Sequence, residues 1–188
     1  MGPSSRSLAV FSFHKAEQHY YLQVTWKDHI ISDAPDYTVD PSWLQRVSDV
    51  VDYALTNDLF AVVNVHHDSW SWLNPDVAGF DATQTLDKFY RLWFQIGTAL
   101  GCKSSKLAFE TINEPSGDAS NPANGQFVND LHATMVKAVR DAGGFNKDRV
   151  VLLCGLGDRH DTATAFLQVP QNMTNPWALT WHMYSPCE

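Results

Sequence analysis

Five short apolar runs recur along the chain, at Tyr20–Trp26, Phe60–His66, Leu107–Ile112, Val150–Cys154 and Ala178–His182. Each has the length of a strand, and each is rich in Val, Leu, Ile or aromatic residues. Their apolarity is continuous rather than alternating, which is the pattern of strands buried on both faces. Between the runs, apolar residues return at helical spacing. Asp40 and Pro41 read as the N-cap and first residue of a helix that puts Trp43, Leu44, Val47, Val50, Val51, Ala54 and Leu55 on one face. A second helix is predicted from about Thr85 to Leu100, gathering Leu86, Phe89, Tyr90, Trp93, Ile96 and Leu100 before Gly101 ends it. A third spans about Gln126–Asp141 and stops at Gly143-Gly144.

Strands that alternate with helices at even spacing predict parallel strands joined by crossover helices, either as an open doubly wound sheet or as a closed barrel. The pattern alone does not choose between them. No Gly-rich phosphate loop follows the early strands, which removes the commonest reason to prefer the open nucleotide-binding sheet. No linker or second domain is visible, so residues 1–188 read as one domain. With 188 residues the chain can bury one sizeable core, but a complete eight-stranded barrel takes roughly 250.

An apolar content of 44% with 18% charged residues is that of a folded domain. The formal charge is −8, and the 13 Lys and Arg are spread along the chain, which argues against nucleic acid as a partner. No apolar run approaches the roughly 18 residues of a membrane span. Near the N-terminus Arg6 precedes LAVFSF, but this run is short for a secretory signal, and His14 and Lys15 follow without an A-x-A-like site. Cys102, Cys154 and Cys187 are too scattered for a metal knot or a disulfide framework. Asn172-Met173-Thr174 fits the N-glycosylation pattern, a triplet that also arises by chance.

The chemistry gathers where the strands end. The first predicted strand ends in Thr25-Trp26 and the second runs into Asn64-Val65-His66-His67-Asp68. The third reaches Asn113-Glu114-Pro115, and the last reaches His182-Met183-Tyr184. Singly, each has a plain structural reading: a Pro-stopped turn, one packed and one exposed histidine, two residues sharing a strand face. Together they put an acid, imidazoles, a phenol, amides and indoles at the C-terminal rim, where barrel enzymes build their sites. Such a set suits a polar, uncharged substrate and the movement of one proton. Glycoside hydrolysis needs a carboxylic acid with a raised pKa and a second carboxylate. Glu114 can be the first.

At these residues the chain resembles glycoside hydrolase family 5, the cellulase family of retaining barrel enzymes. The blocks LQVTW, DYTVDPSWLQRVSDVVDYALTNDLFAVVNVHHD, LAFETINEP and LTWHMYSP carry the resemblance, in the family's order, from about Leu22 to Pro186. It implies a (β/α)₈ TIM barrel that is incomplete, with about strands 2 to 6 present and strands 1, 7 and 8 missing. It implies cleavage of β-1,4-glucan with retention, no cofactor and no metal, a β-glucan polysaccharide or oligosaccharide as partner, and an extracellular setting. Glu114 would be the acid/base, with Asn113 bonding the substrate 2-hydroxyl and His66 lining the catalytic subsite. His182 would interact near the acid/base, and Tyr184 would orient the nucleophile. His67, Trp26, Trp70 and Trp72 would flank the substrate, since indole faces stack on sugar rings.

The chain departs from the family in three respects. The family's nucleophile, a glutamate ending the seventh strand, has no counterpart here, and Glu188 does not match its motif. An arginine of the second strand is absent at Tyr21-Leu22-Gln23. Residues 1–20 look unlike the family. The alternative is therefore a catalytically incomplete fragment that at most binds polysaccharide. A metal-dependent hydrolase using His66, His67, His182 and Asp68 ranks below both, because no ligand spacing of the H-x-x-x-H kind occurs.

Overall fold

The computed structural model describes residues 19–184. Most of the atypical N-terminal stretch, together with Cys187 and Glu188, lies outside the described residues. Five strands, β1 (His19–Leu22), β2 (Phe60–Val63), β3 (Leu107–Glu110), β4 (Val151–Cys154) and β5 (Trp177–Thr180), form one sheet in the order β1-β2-β3-β4-β5. Every pairing is parallel. The connections carry α1 (Pro41–Thr56), α2 (Ala82–Leu100), α3 (Pro122–Asp141) and α4 (His160–Phe166).

Helices α1, α2 and α3 begin where a side chain satisfies a free backbone N–H group of the first turn. Asp40 accepts from Ser42 N, Asp81 from Gln84 N and Asn121 from Ala123 N. Proline takes the first helical position in both α1 and α3. Thus α2 and α3 start three and four residues before their predicted starts at Thr85 and Gln126. Their first turns are polar, and a search for apolar spacing passes over them. Gly144 is left-handed (φ 64°), and a Cβ there would meet the Gly101 carbonyl oxygen at 2.7 Å. That close approach, with the Phe145 N–H donating to Gly101 O at 2.8 Å, joins the end of α3 to the end of α2.

The ladders are shorter than the apolar runs predicted. Val24, Val65 and Ile112 continue beyond them as buried residues, tied by bonds such as His66 N–H to Val24 O (2.9 Å) and Asn113 N–H to Val65 O (2.9 Å). On alternate positions Val63, Val65, Leu107, Phe109, Val151 and Leu153 join a core with Phe89, Leu92, Trp93 and Ile96 of α2 and Leu131 and Met135 of α3. Phe109 lies 5.4 Å from Trp93, ring centre to ring centre.

At the foot of the sheet, just before β4, Arg149 is buried. Its guanidinium donates to the carbonyls of Leu100, Lys103, Ser104 and Leu107. Burial lowers its pKa to about 10, which still leaves it charged at neutral pH. One buried side chain thereby ties four backbone carbonyls together, two of which, Leu100 O and Ser104 O, also accept backbone N–H groups.

Candidate active site

The positions that do not face the helices carry a polar chain running up the sheet. Asn64, just past β2, is its lowest link. Its Oδ1 accepts from Val24 N (3.2 Å), so its amide N–H groups point the other way, to Glu110 Oε2 (2.8 Å) and His66 Nδ1 (3.1 Å). His66 Nδ1 is then an acceptor, and the ring carries its proton on Nε2. Burial, reinforced by the neighbouring His67, lowers the His66 pKa to about 4, so the ring is neutral at neutral pH.

Glu110 has no accessible surface, and its Oε1 has no hydrogen-bond partner among the described residues. Burial raises its pKa to about 7, against the opposing pull of Tyr21 and Asn64. The Tyr21 phenol faces this carboxyl, and burial with the Glu110 charge pushes its pKa upward. A neutral phenol thus stands beside a carboxyl that is itself half protonated near neutrality.

Glu114 stands beyond the head of β3, four residues past the last strand residue, Glu110. Its backbone is left-handed (φ 40°), which is uncommon for a long side chain. Its N–H donates to Asp158 Oδ2 at 2.8 Å. Its Oε1 accepts from His182 Nδ1 at 2.8 Å and from the Tyr184 hydroxyl. Burial opposes ionisation, but the Tyr184 and His182 hydrogen bonds and the charge of His182 prevail, and the pKa of Glu114 is lowered. This differs from the raised value expected of a proton donor. The reason is the neighbourhood: the donors Tyr184 and His182 stand against the carboxyl and favour its charged form.

The other predicted residues fall in two groups. Asn113 is buried beside Glu114, and His67 is exposed on the rim with its Nδ1 2.6 Å from Thr25 Oγ1. Trp70 is half exposed, its ring 5.5 Å from His67 and 6.1 Å from His66. Trp26 departs from the expectation of a sugar contact, because it is wholly buried, with its indole N–H donating to Asn64 O at 2.9 Å. Trp72 is half buried, and its indole N–H donates to Asp68 Oδ1 at 2.6 Å while Lys88 covers its ring at 4.3 Å. Asp68, which also accepts from Trp26 N at 2.8 Å, is therefore the clasp of this loop. No group of three or more possible metal ligands occurs among the described residues.

Three residues of the site escaped the sequence reading. Glu110 lay hidden in an apolar run, and Asn64 read as a strand end. Asp158 follows Gly155-Leu156-Gly157, which reads as a turn; its place in the loop after β4 was the signal available.

A parallel sheet with crossover helices and a carboxylate, imidazoles and a phenol at the C-terminal ends of its strands defines part of a TIM barrel with an active-site rim. The sequence profile of Cellulase (glycosyl hydrolase family 5) matches residues 21–188, and the chain belongs to that family. Among curated relatives, it is 36% identical to endoglucanase B of Paenibacillus lautus over 72% of this chain and 24% of that protein. It is 34% identical to the cellulase/esterase CelE of Acetivibrio thermocellus over 88% of this chain and 21% of that one. Among solved structures, a xyloglucan-specific endo-β-1,4-glucanase from a metagenomic library, in complex with cellotriose, superposes with a TM-score of 0.79 at 30% identity, covering 89% of this chain and 50% of its own. A tri-modular endo-β-1,4-glucanase from Bacillus licheniformis, complexed with cellotetraose, gives 0.77 at 37% identity over 88% and 30%. The chain thus spans about half of the first of these structures and about a quarter or less of the two curated relatives.

Proposed function

We propose that the chain carries the acid/base side of a retaining β-1,4-glucan hydrolase site, with Glu114 as the group that exchanges a proton with the glycosidic oxygen. The observation that carries this reading is the Glu114–His182–Tyr184 cluster at the sheet's C-terminal rim, in a family whose solved relatives include complexes with cellotriose and cellotetraose. Asn113 and His66 flank the subsite, His66 as a neutral Nε2–H donor. Trp70 and His67 offer the exposed faces on which a glucose ring can stack. Secretion, usual where polymeric glucan is the substrate, belongs to the same proposal.

Retention needs a second carboxylate about 5–5.5 Å from the first, and its charge would raise the pKa of Glu114. Glu110 and Asp158 have no accessible surface and cannot reach a sugar. The second reading, a protein that binds β-glucan without cutting it, is favoured by that seal and by the lowered pKa of Glu114. One experiment separates the two: hydrolysis of a soluble β-1,4-glucan by the purified chain and by Glu114→Gln, with cellotetraose binding measured by calorimetry. Turnover that disappears in the variant supports the hydrolase. Binding without turnover supports the second reading, and neither binding nor turnover overturns both.

A further inference from the structure

We infer that Asp158 is the positioning residue of this site, holding the Glu114 carboxyl and the His182 imidazole in register from the loop after β4; the inference rests on the proton-exchanging role given to Glu114 above. Asp158 belongs to neither of the strands it joins. Its Oδ2 accepts from the Glu114 N–H at 2.8 Å, while its backbone carbonyl accepts from the His182 N–H at 2.8 Å. The same Oδ2 stands 3.6 Å from His182 Nε2, too long for a direct hydrogen bond but close enough for an ionic contact. The other ring nitrogen, Nδ1, lies 2.8 Å from Glu114 Oε1. One imidazole is thus held between two carboxylates, and one residue touches both partners.

The local backbone is built for this. Gly157 and Asp158 are both left-handed (φ 66° and 51°), which turns the loop back over the head of β3. The Gly157 N–H donates to Pro115 O at 2.8 Å, so the loop grips both Glu114 and the proline after it. A Cβ on Gly155 would lie 2.3 Å from the Ala163 nitrogen, which fixes the loop's root against α4. Asp158 itself has no accessible surface, so its carboxylate acts on the substrate only through Glu114 and His182. Left-handed backbone at Glu114 and Asp158 together is strain of the kind retained where surrounding contacts impose it.

The groups facing His182 are Glu114 and Glu110 from β3 and its end, Asp158 from the β4 loop, His66 from the end of β2 and Tyr184 from its own segment. Three are acidic, and they support the charged ring against its partial burial. A carboxylate this close to an imidazole shifts its titration by about one unit or more. A side chain that only braced the loop would not.

The test is the titration of His182 in the full 188-residue chain, followed by ¹⁵N and ¹H NMR. Asp158→Asn keeps an oxygen to accept from the Glu114 N–H but removes the charge. We expect the His182 midpoint to fall by about one unit in this variant. An unchanged midpoint in a folded Asp158→Asn protein overturns the inference and leaves the glucanase reading untouched. Should the variant not fold, amide exchange in the unsubstituted chain decides. The Glu114 N–H, held by Asp158 Oδ2, is expected to be protected at least about a hundredfold, and exchange at the free-peptide rate overturns the proposal. A shifted midpoint in a chain that neither binds nor cuts glucan keeps the positioning geometry and removes its purpose, so the two failures are distinguishable.

Discussion

The sheet's two faces are drawn from the same strands and differ in almost every respect. Toward the helices, Val63, Val65, Leu107, Phe109, Val151 and Leu153 pack against α2 and α3 through apolar side chains. Toward the other side, Asn64 donates to His66 and Glu110, and His182 bonds Glu114, so the titratable groups depend on their neighbours for their protonation states. The apolar face gains from every methylene removed from water, and the polar face gains only where donor and acceptor match. Stability is therefore concentrated on one side and chemistry on the other, although adjacent residues of a strand serve both.

Four substitutions would test that division. The largest effect is expected from Phe109→Ala, which empties a space against Trp93 and should cost about 3–5 kcal/mol in urea unfolding. A loss below about 1 kcal/mol would show that the helix-facing side does not carry the fold.

Glu110→Gln should act in the opposite direction. The folded protein holds this proton up to a pKa of about 7, against an ordinary value of 4.5. Because the folded state binds the proton more tightly, the group's contribution is most favourable below pH 4.5. It falls as pH rises through 7 and is level above. Removing the charge should therefore stabilise the chain by up to about 3 kcal/mol at pH 8 and flatten the slope between pH 5 and 7. An unchanged slope would assign the effect to another group.

Asp40→Ala removes the cap of α1 and should cost about 1 kcal/mol, read as a shift in the urea midpoint. Trp70→Ala, on the rim, should alter stability by no more than about 0.5 kcal/mol. It should nonetheless weaken cellotetraose binding about tenfold, equivalent to 1.4 kcal/mol. If stability fell and binding held, Trp70 would belong with Trp26 in the core.

The same division explains what could be read in advance. Strand and helix positions were legible because burial against a neighbouring layer imposes a period on the sequence. Their ends were less so, since Val24 and Val65 remain apolar after the ladder has stopped. The seven-residue α4 is too short to develop an apolar period, and it was missed. Glu114, His66, His182 and Tyr184 stood out as polar residues at strand ends within recognisable blocks. Asp158 and Glu110 did not, because their meaning lies in residues 24 to 46 positions away: Asp158 binds Glu114 and His182, and Glu110 binds Asn64. Trp26 was misplaced for a related reason, since an indole at a strand end looks the same whether it turns toward a cleft or into the core.

Arg149 has a consequence beyond the four carbonyl groups it ties together. It places a permanent positive charge at the foot of the sheet, while Glu110, Asp158 and Glu114 stand at or toward its head. The interior is thus electrically polarised along its length. A neutral molecule entering at the head would feel little net pull, but any positive charge developing there would meet nearby carboxylates, with the buried Arg149 guanidinium held at the opposite end.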